Sequence, residues 1–330
     1  MRWTLHRADA YPRRIAGGRR MKDTLKKAAT TTAWVGGALA LWTTLAAGAS
    51  EMLVPADGDF VDVPGARLHY VDTGGDGPAI LLLHGIYGQL RNFTYALTDQ
   101  LKDHRLIVVD RPGWGHSTVE GEHPTIETQA RMVADLIDAL GLDRPLLVGH
   151  SMGGAVALAM AVNQPAKIRG VALIAPLTQR VTEMPGVFRG KAPPAAVRGL
   201  AAWTVGVPLT TLTGPAVSKQ VFAPDAVPMD FGTRGGGLAA LRPSSFEAGA
   251  VELRDANRAL STMIPRYGAI KLPVVILYGR DDELLDPHSQ GDVTAGEIPG
   301  AVLTKIGGGH MIPVTHPAET AAWLRTAAAA

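Results

Sequence analysis

The segment Gly-His-Ser-Met-Gly at positions 149–153 constrains the fold more than any other part of the sequence. The apolar run 145–148 leads directly into it, and the alanine-rich run 154–160 follows it directly. A strand that turns sharply into a helix holds the serine on a strained turn, and glycines on both sides leave room for the strand and the helix to close up. We therefore predict a strand, a tight turn at Ser151 and a helix, with Gly149 and Gly153 as structural residues of the turn.

Similar apolar runs of strand length recur along the chain. They are continuous rather than alternating, which is typical of strands that are covered on both faces, as in a parallel sheet. Helical patterns separate them, and the one that precedes the serine stops at a glycine, Gly141. The sequence therefore predicts an α/β fold with a mainly parallel sheet. The strand-length runs are 79–83, 106–109, 146–148, 171–174 and 274–277.

Composition limits the domain organisation and the chemistry. With 330 residues, 46% of them hydrophobic, the chain can bury one large core and has room for a small second unit. It contains no cysteine, which excludes disulfides, thiolate nucleophiles and cysteine metal sites. No group of residues has metal-ligand spacing, so we expect neither a metal nor another cofactor.

The alternation of strands and helices breaks between residues 177 and 264. This segment is rich in proline, glycine and alanine, lacks a clear strand, and is too long for an ordinary loop. We predict a helical cap over 177–264, with a partly disordered insertion as the alternative. The cap would divide the body into a first part, 51–176, and a second part, 265–330.

The N-terminus combines a basic region with an uncharged one. Residues 1–27 hold nine Lys and Arg and two Asp, a net charge of +7, whereas the rest of the chain has a net charge of −5. Because the body has no excess of basic residues, nucleic acid is not an expected partner. Residues 28–50 contain no charged residue, and their 23 positions are enough to cross a bilayer.

The uncharged segment 28–50 has three interpretations. We favour a membrane anchor, with the basic flank in the cytoplasm and the body on the other side of the membrane. A signal peptide that ends at the small residues 47–49 would instead release the body into the periplasm or the medium. A disordered leader is the third. The sequence leaves open whether translation starts at Met1 or Met21, and it does not indicate an oligomeric state.

Three residues, in the order serine, acid, histidine, fit nucleophilic catalysis. A serine hydroxyl needs a base within hydrogen-bond reach, and that base needs a carboxylate to orient it. Asp282 follows an apolar strand and a glycine, with Asp281 beside it as the alternative carboxylate. His310 follows three glycines after another predicted strand. We predict Ser151 as the nucleophile, His310 as the general base and Asp282 as the acid that orients it.

This order and the glycine-flanked serine resemble the α/β-hydrolase superfamily over roughly residues 58–325. The resemblance implies an eight-stranded, mainly parallel sheet with helices on both faces and a helical cap. It also makes His84-Gly85-Ile86 similar to the family's oxyanion loop, with His84 and Gly85 as structural residues. The backbone N–H groups of Ile86 and Met152 would then stabilise a tetrahedral oxyanion.

The resemblance implies a serine hydrolase that cleaves a small-molecule carboxylic ester through an acyl-enzyme intermediate. Epoxide hydrolases and haloalkane dehalogenases of this fold carry aspartate where Ser151 stands, which argues against both. Two alternatives use the same triad: a carbon–carbon bond hydrolase and a cofactor-free haloperoxidase or perhydrolase. A catalytically inactive, membrane-tethered binding protein is the alternative from another class.

Apolar residues of the predicted cap favour an apolar acyl group. We expect them to line the acyl pocket, with packing of the cap on the core as the alternative. These residues are Leu200, Trp203, Val205, Leu209, Leu212, Val221 and Phe222.

Overall fold

The structure is a computed structural model that describes residues 16–181 and 193–329, with side chains described from residue 21 onward. Two predicted segments therefore extend beyond it. Residues 1–15 of the basic N-terminal region, with Met1, and residues 182–192 of the cap lie outside the described residues.

A nine-stranded sheet forms the centre of the fold. Its strands are β1 (Asp59–Val63), β2 (Ala66–Asp72), β3 (Ile80–Leu83), β4 (Leu106–Val109), β5 (Thr118–Val119), β6 (Leu146–His150), β7 (Gly170–Ile174), β8 (Val274–Gly279) and β9 (Val302–Ile306). Eight of them lie in the order β1-β2-β4-β3-β6-β7-β8-β9, and β5 pairs with β2. The six strands from β4 to β9 along this order are parallel, whereas β1 and β2 pair antiparallel with their neighbours. The mainly parallel sheet is thus confirmed, with the short β5 as a ninth strand.

Helices cover both faces of this sheet. The α-helices of the described chain, which include those of the cap, are α1 (Ala16–Leu53), α2 (Arg91–Thr94), α3 (Ile126–Ala139), α4 (Met152–Asn163), α5 (Ala195–Ala201), α6 (Val207–Phe222), α7 (Pro243–Met263), α8 (Val293–Glu297), α9 (Ile312–Thr315) and α10 (Pro317–Ala329). Alternate residues of the inner strands point to opposite faces. In β3, Leu81 and Leu83 join the core under α3 and α4, whereas Ile80 and Leu82 join the core under α10. Burial on both faces explains the continuous apolar runs.

Between β7 and β8, the described chain is helical. A π-helical turn at Ala202–Gly206 joins α5 to α6, so that Ala195–Phe222 runs as one helix. α7 then returns towards β8 and packs against α3 and α4. Its residues Ala256, Leu260 and Met263 belong to the main core.

The long N-terminal helix α1 packs against these cap helices. Its C-terminal half packs against Ala202–Gly206, α6 and the short helical turn Gly237–Leu241. The Ser50 hydroxyl donates a hydrogen bond of 2.7 Å to the carbonyl of Leu238. Within the described residues, one helical stretch is long and apolar enough to cross a membrane, and it is Ala195–Phe222 rather than α1.

Candidate active site

Ser151 lies on a strained turn between β6 and α4. Its φ of 53° and ψ of −121° lie outside the regions that residues with a side chain prefer. The turn depends on its two glycines. A Cβ at Gly149 would overlap the backbone of Gly153, and a Cβ at Gly153 would overlap the carbonyls that end β3. The serine is 6% exposed and stands at the carboxyl edge of the parallel strands.

Asp282 and His310 are paired in the interior. His310 Nδ1 lies 2.8 Å from Asp282 Oδ2, and both side chains are at least 97% buried. The other carboxylate oxygen, Oδ1, accepts the N–H groups of Leu284 and Leu285, each at 2.9 Å. The carboxylate is therefore fixed from both sides. With Nδ1–H donated to Asp282, the Nε2 atom of His310 keeps the lone pair that a general base needs.

The neighbouring carboxylate, Asp281, is exposed and does not contact the histidine. Its backbone N–H donates to the carbonyl of Gly308 at 3.0 Å, which ties the loop after β8 to the loop after β9. Gly308 has a φ of +96°, a conformation that favours glycine. The glycine run before His310 thus lets the histidine loop lie against the aspartate loop.

Ser151 is close to this pair, but its hydroxyl is not hydrogen-bonded to His310. His150, next to the serine, donates from Nε2 to the backbone carbonyl of His310 at 3.1 Å, and the two rings are 5.0 Å apart. Within residues 16–181 and 193–329, the Ser151 hydroxyl forms no hydrogen bond. Such bonds are often long in enzymes without substrate and shorten in the substrate complex.

The loop after β3 lies against the serine. A Cβ at Gly85 would be 3.0 Å from the Ser151 Cβ and 3.4 Å from its Oγ. Ile86, Ser151 and Met152 line one cavity. Met152 is the first residue of α4, where backbone N–H groups have no acceptor within the helix. The structure therefore brings together the serine and both predicted oxyanion donors.

A buried arginine orients the peptide group of Ile86. Arg111 donates from Nε to the carbonyl of His84 at 2.7 Å and from Nη2 to that of Gly85 at 3.2 Å. In a trans peptide, the C=O and the following N–H point in opposite directions. Because the Gly85 carbonyl is held on the arginine side, the Ile86 N–H points away from the arginine.

Glu252, on the cap helix α7, completes this network. Its two carboxylate oxygens accept from Arg111 Nη1 at 2.7 Å and Nη2 at 3.1 Å, and both side chains are fully or almost fully buried. Gln129 and Trp114 donate to the same carboxylate. Burial alone would raise the pKa of Glu252, but Arg111 and His123 outweigh burial and hold this pKa well below its usual value.

The two histidines beside the serine are neutral. Burial lowers the pKa of His150 to about 3, and the neighbouring imidazole of His310 adds to this effect. Burial, with the charge of Arg111, lowers the pKa of His84 to about 4. His84 Nε2 accepts the N–H of Arg111 at 2.9 Å, and its Nδ1 donates to the Gly85 carbonyl at 2.7 Å. His84 and Gly85 thus hold the loop in place.

Comparison with known proteins agrees with this architecture. A profile of the alpha/beta hydrolase fold matches residues 78–219. The crystal structure of an enol-lactonase from Burkholderia xenovorans superposes with a TM-score of 0.66, at 24% identity, over 81% of this chain and 98% of that one. The chain has the α/β-hydrolase fold.

Three curated relatives are similar in sequence to this chain. The acetyltransferase component of an acetoin cleaving system from Cupriavidus necator is 32% identical over 53% of this chain, and the match spans only 46% of that relative. A magnesium-chelatase 30 kDa subunit from Rhodobacter capsulatus is 28% identical over 73% of this chain and 84% of its own length. A 2-hydroxy-6-oxononadienedioate hydrolase from Burkholderia vietnamiensis is 28% identical over 73% and 83%.

The cavity beside Ser151 is mostly apolar. Besides Ser151, Ile86 and Met152, it is lined by Leu177, Val181, Leu253, Ala256, Asn257, Leu284 and Leu285. The expectation that seven apolar residues of the cap line this pocket is wrong, because none of the seven is among its lining residues. Leu200, Trp203, Val205, Leu209 and Leu212 are 48–70% exposed on the surface, whereas Phe222 is buried and packs in a separate cluster, as the alternative expected. The cap's share of the cavity comes from α7 and from the segment after β7, which supplies Leu177 and Val181.

Two contributions to this site were not predicted from the sequence. Glu252 is 141 residues from Arg111 along the chain, and no local motif signals the pair. Asp225, after α6, accepts the N–H of Gly309 at 3.2 Å and the Thr315 hydroxyl at 2.9 Å, so the cap also holds the histidine loop. In the described part of the chain, no group of three His, Cys, Asp or Glu side chains could hold a metal ion.

We expect Glu252→Gln to destabilise the protein by about 3–5 kcal/mol, because it leaves the Arg111 charge buried without its counter-charge. Urea denaturation followed by circular dichroism measures this change. Glu247→Gln on the same helix is the matched control, since Glu247 forms no salt bridge among the described residues. A Glu252→Gln variant as stable as the control would contradict this account of the network.

We expect His150→Asn to make the free energy of unfolding decrease less steeply as the pH falls. His150 stays neutral in the folded state down to about pH 3, whereas it protonates near pH 6.5 when unfolded. Between these values the unfolded state binds one more proton, so stability rises with pH and is lost as pH falls. Removing this site should reduce the slope by up to about 1.4 kcal/mol per pH unit.

The measurement is the free energy of unfolding of both proteins at a series of pH values from 4 to 8. Their difference at pH 8, where neither side chain is charged, gives the effect on packing alone. If the free energy of unfolding depended on pH equally steeply in the wild type and the variant between pH 6.5 and 4, the neutral, buried state of His150 would be refuted.

Proposed function

We propose that this chain is a serine hydrolase that cleaves a carboxylic ester through an acyl-enzyme intermediate. The observation that carries the proposal is the buried His310–Asp282 pair, with 2.8 Å between its polar atoms, beside a serine on a strained turn. The pair supplies an oriented base, and the turn presents the hydroxyl at the carboxyl edge of the sheet. This arrangement suits attack on an acyl carbon.

In the proposed reaction, His310 Nε2 takes the proton from Ser151 as its oxygen bonds to the ester carbonyl carbon. The N–H groups of Ile86 and Met152 stabilise the oxyanion, and such a donor is worth roughly 3–4 kcal/mol in the transition state. His310 then returns the proton to the leaving alcohol. Water, activated by the same histidine, releases the acid and restores the serine.

We propose an apolar acyl group, because the cavity beside the serine offers one polar side chain other than the serine, Asn257. A series of p-nitrophenyl esters with increasing acyl length tests this. We expect kcat/KM to rise beyond acetate, since each additional buried methylene contributes about 0.8 kcal/mol. A series without any preference beyond acetate would contradict the apolar acyl group, while activity on the esters would still support the hydrolase.

Labelling with a fluorophosphonate probe tests the nucleophile directly. We expect the full-length chain to be labelled and its Ser151→Ala variant to remain unlabelled. An unlabelled wild type, folded by circular dichroism, would instead favour the binding protein without activity. We include that outcome because one relative is a magnesium-chelatase subunit, whose name states no hydrolysis.

A carbon–carbon bond hydrolase is the second candidate. The observation that favours it is the match to the 2-hydroxy-6-oxononadienedioate hydrolase, which spans most of both chains. The same three residues can catalyse either reaction, so the preferred substrate distinguishes the two candidate functions. Consumption of a vinylogous 1,5-diketone with faster turnover than any ester would favour this candidate over the esterase. A parallel assay of peracid formation covers the perhydrolase.

We propose in addition that residues 28–50 anchor the protein in a membrane. Within α1 they carry no charge, and Lys22, Lys26 and Lys27 lie exposed at the preceding end of the helix. Basic residues on one flank fix that flank in the cytoplasm, which places the body on the opposite side. Resistance of the chain to carbonate extraction, together with protease access to the body from outside spheroplasts, tests the anchor and its orientation.

A further inference from the structure

The cap carries an exposed apolar surface that the active site does not use. It lies on the continuous helix Ala195–Phe222 and consists of Leu200, Trp203, Val205, Leu209 and Leu212, each about half exposed or more. Contiguous exposed apolar side chains on one element mark a contact surface rather than the ordinary scatter of apolar surface residues. No charged residue occurs between Gly199 and Ser218.

Four threonine hydroxyls of this helix are satisfied within the helix itself. The hydroxyls of Thr204, Thr210, Thr211 and Thr213 each donate to the carbonyl four residues earlier, at 2.7–3.0 Å. A hydroxyl that faces water does not need this bond, whereas one that faces hydrocarbon does. Thr44 of α1 bonds in the same way to the carbonyl of Ala40.

The helix α1, which packs against this part of the cap, continues the exposed apolar surface. Trp34, Leu41, Trp42 and Leu45 are 42–77% exposed. The uncharged segment 28–50 measures about 35 Å as a helix, close to the roughly 30 Å of a bilayer's hydrocarbon core. Its second half, with Thr43 and Ser50 buried, lies alongside the cap. If 28–50 crosses the core, the cap helix lies at the depth of that second half.

We propose that the cap helix Ala195–Phe222 is itself immersed in the lipid bilayer beside α1, so that the protein contacts lipid through two helices rather than through an anchor alone. The occupant of the surface is the acyl region of the leaflet on the side of the body. The uncharged surface, the internally bonded hydroxyls and the basic end of α1 at the opposite side all match this placement. The proposal concerns a contact surface and does not depend on which bond the active site cleaves.

Tryptophan quenching in brominated lipid tests the proposal on the full-length chain. Of the six tryptophans, Trp3, Trp34, Trp42 and Trp323 are replaced by Phe, which leaves Trp203 and the buried Trp114. The protein is reconstituted into phosphatidylcholine–phosphatidylglycerol vesicles with bromine high or low on the acyl chain. We expect the emission of Trp203 to fall about twofold or more, as for an interfacial tryptophan within the acyl boundary.

Two further variants make the result decisive. The same chain with Trp203→Phe reports Trp114 alone, which is 1% exposed and should not be quenched. The chain that retains Trp42 in place of Trp203 reports insertion of α1. Quenching of Trp42 without Trp203 would overturn the proposal, because the cap would then lie in water or against a second copy of the chain. Quenching of neither would overturn it as well.

A pair of charge substitutions gives an independent readout. We expect Leu209→Glu together with Leu212→Glu to abolish the quenching of Trp203 in vesicles, because carboxylates leave the acyl region. The matched control is Val302→Glu, which adds a charge at an exposed apolar residue of β9, away from the cap. Quenching that survives the double substitution would contradict immersion of this face.

Discussion

Ser151→Ala should lower kcat for ester hydrolysis by about 10⁴- to 10⁶-fold, the loss expected when the nucleophile of a serine triad is removed. Ser151 is the hydroxyl at the strained turn beside the cavity, and the described chain shows no other serine next to the His310–Asp282 pair. His310 and Asp282 cannot form the proposed acyl-enzyme by themselves. The oxyanion loop and the cavity remain, so the residual rate should still exceed that in water.

The measurement is single-turnover hydrolysis of an activated ester with purified variant, accompanied by fluorophosphonate labelling. Because alanine keeps the Cβ and the same backbone, the variant should unfold at the same urea concentration as the wild type within error. A variant that retains more than about a tenth of the wild-type rate, outside the range expected for a triad serine, would show that another residue carries the chemistry.

Asp282→Asn should lower kcat by about 10⁴-fold, because an amide in this place favours the wrong tautomer of the histidine. In the native pair, His310 donates Nδ1–H to the carboxylate over 2.8 Å. The carboxylate is also held by two backbone N–H groups, so the asparagine has to turn its NH₂ group towards either these donors or the ring. The second orientation keeps both backbone hydrogen bonds and is therefore favoured, and it removes the acceptor that keeps Nε2 free to act as a base.

The matched control is the neighbouring residue. Asp281→Asn makes the same change of charge one position away, at an exposed side chain that does not contact His310. We expect it to keep kcat within about twofold, as surface substitutions generally do. If the two variants lost activity equally, the orienting role of Asp282 would be refuted and a general effect of charge near the site would replace it.

Local sequence patterns were enough to predict those features whose residues are close together both in sequence and in space. The turn at Ser151 is built from residues within a few positions, so its glycines and flanking runs predict it without a fold. The parallel sheet was predictable because burial on both faces leaves continuous apolar runs. The sequence predicted the orienting carboxylate at Asp282, with Asp281 as the alternative, and the structure pairs His310 with Asp282.

The sequence by itself determined the sheet, the sharp turn and the residue types available for catalysis, since these follow from short-range sterics and from the periodicity of apolar side chains. Only the tertiary structure decided that Glu252 reaches Arg111 across 141 residues and that several apolar residues of the first cap helix are exposed, among them Leu200, Trp203, Val205, Leu209 and Leu212. These contacts join distant segments. Their geometry depends on how helices pack on the sheet, and no local pattern records it.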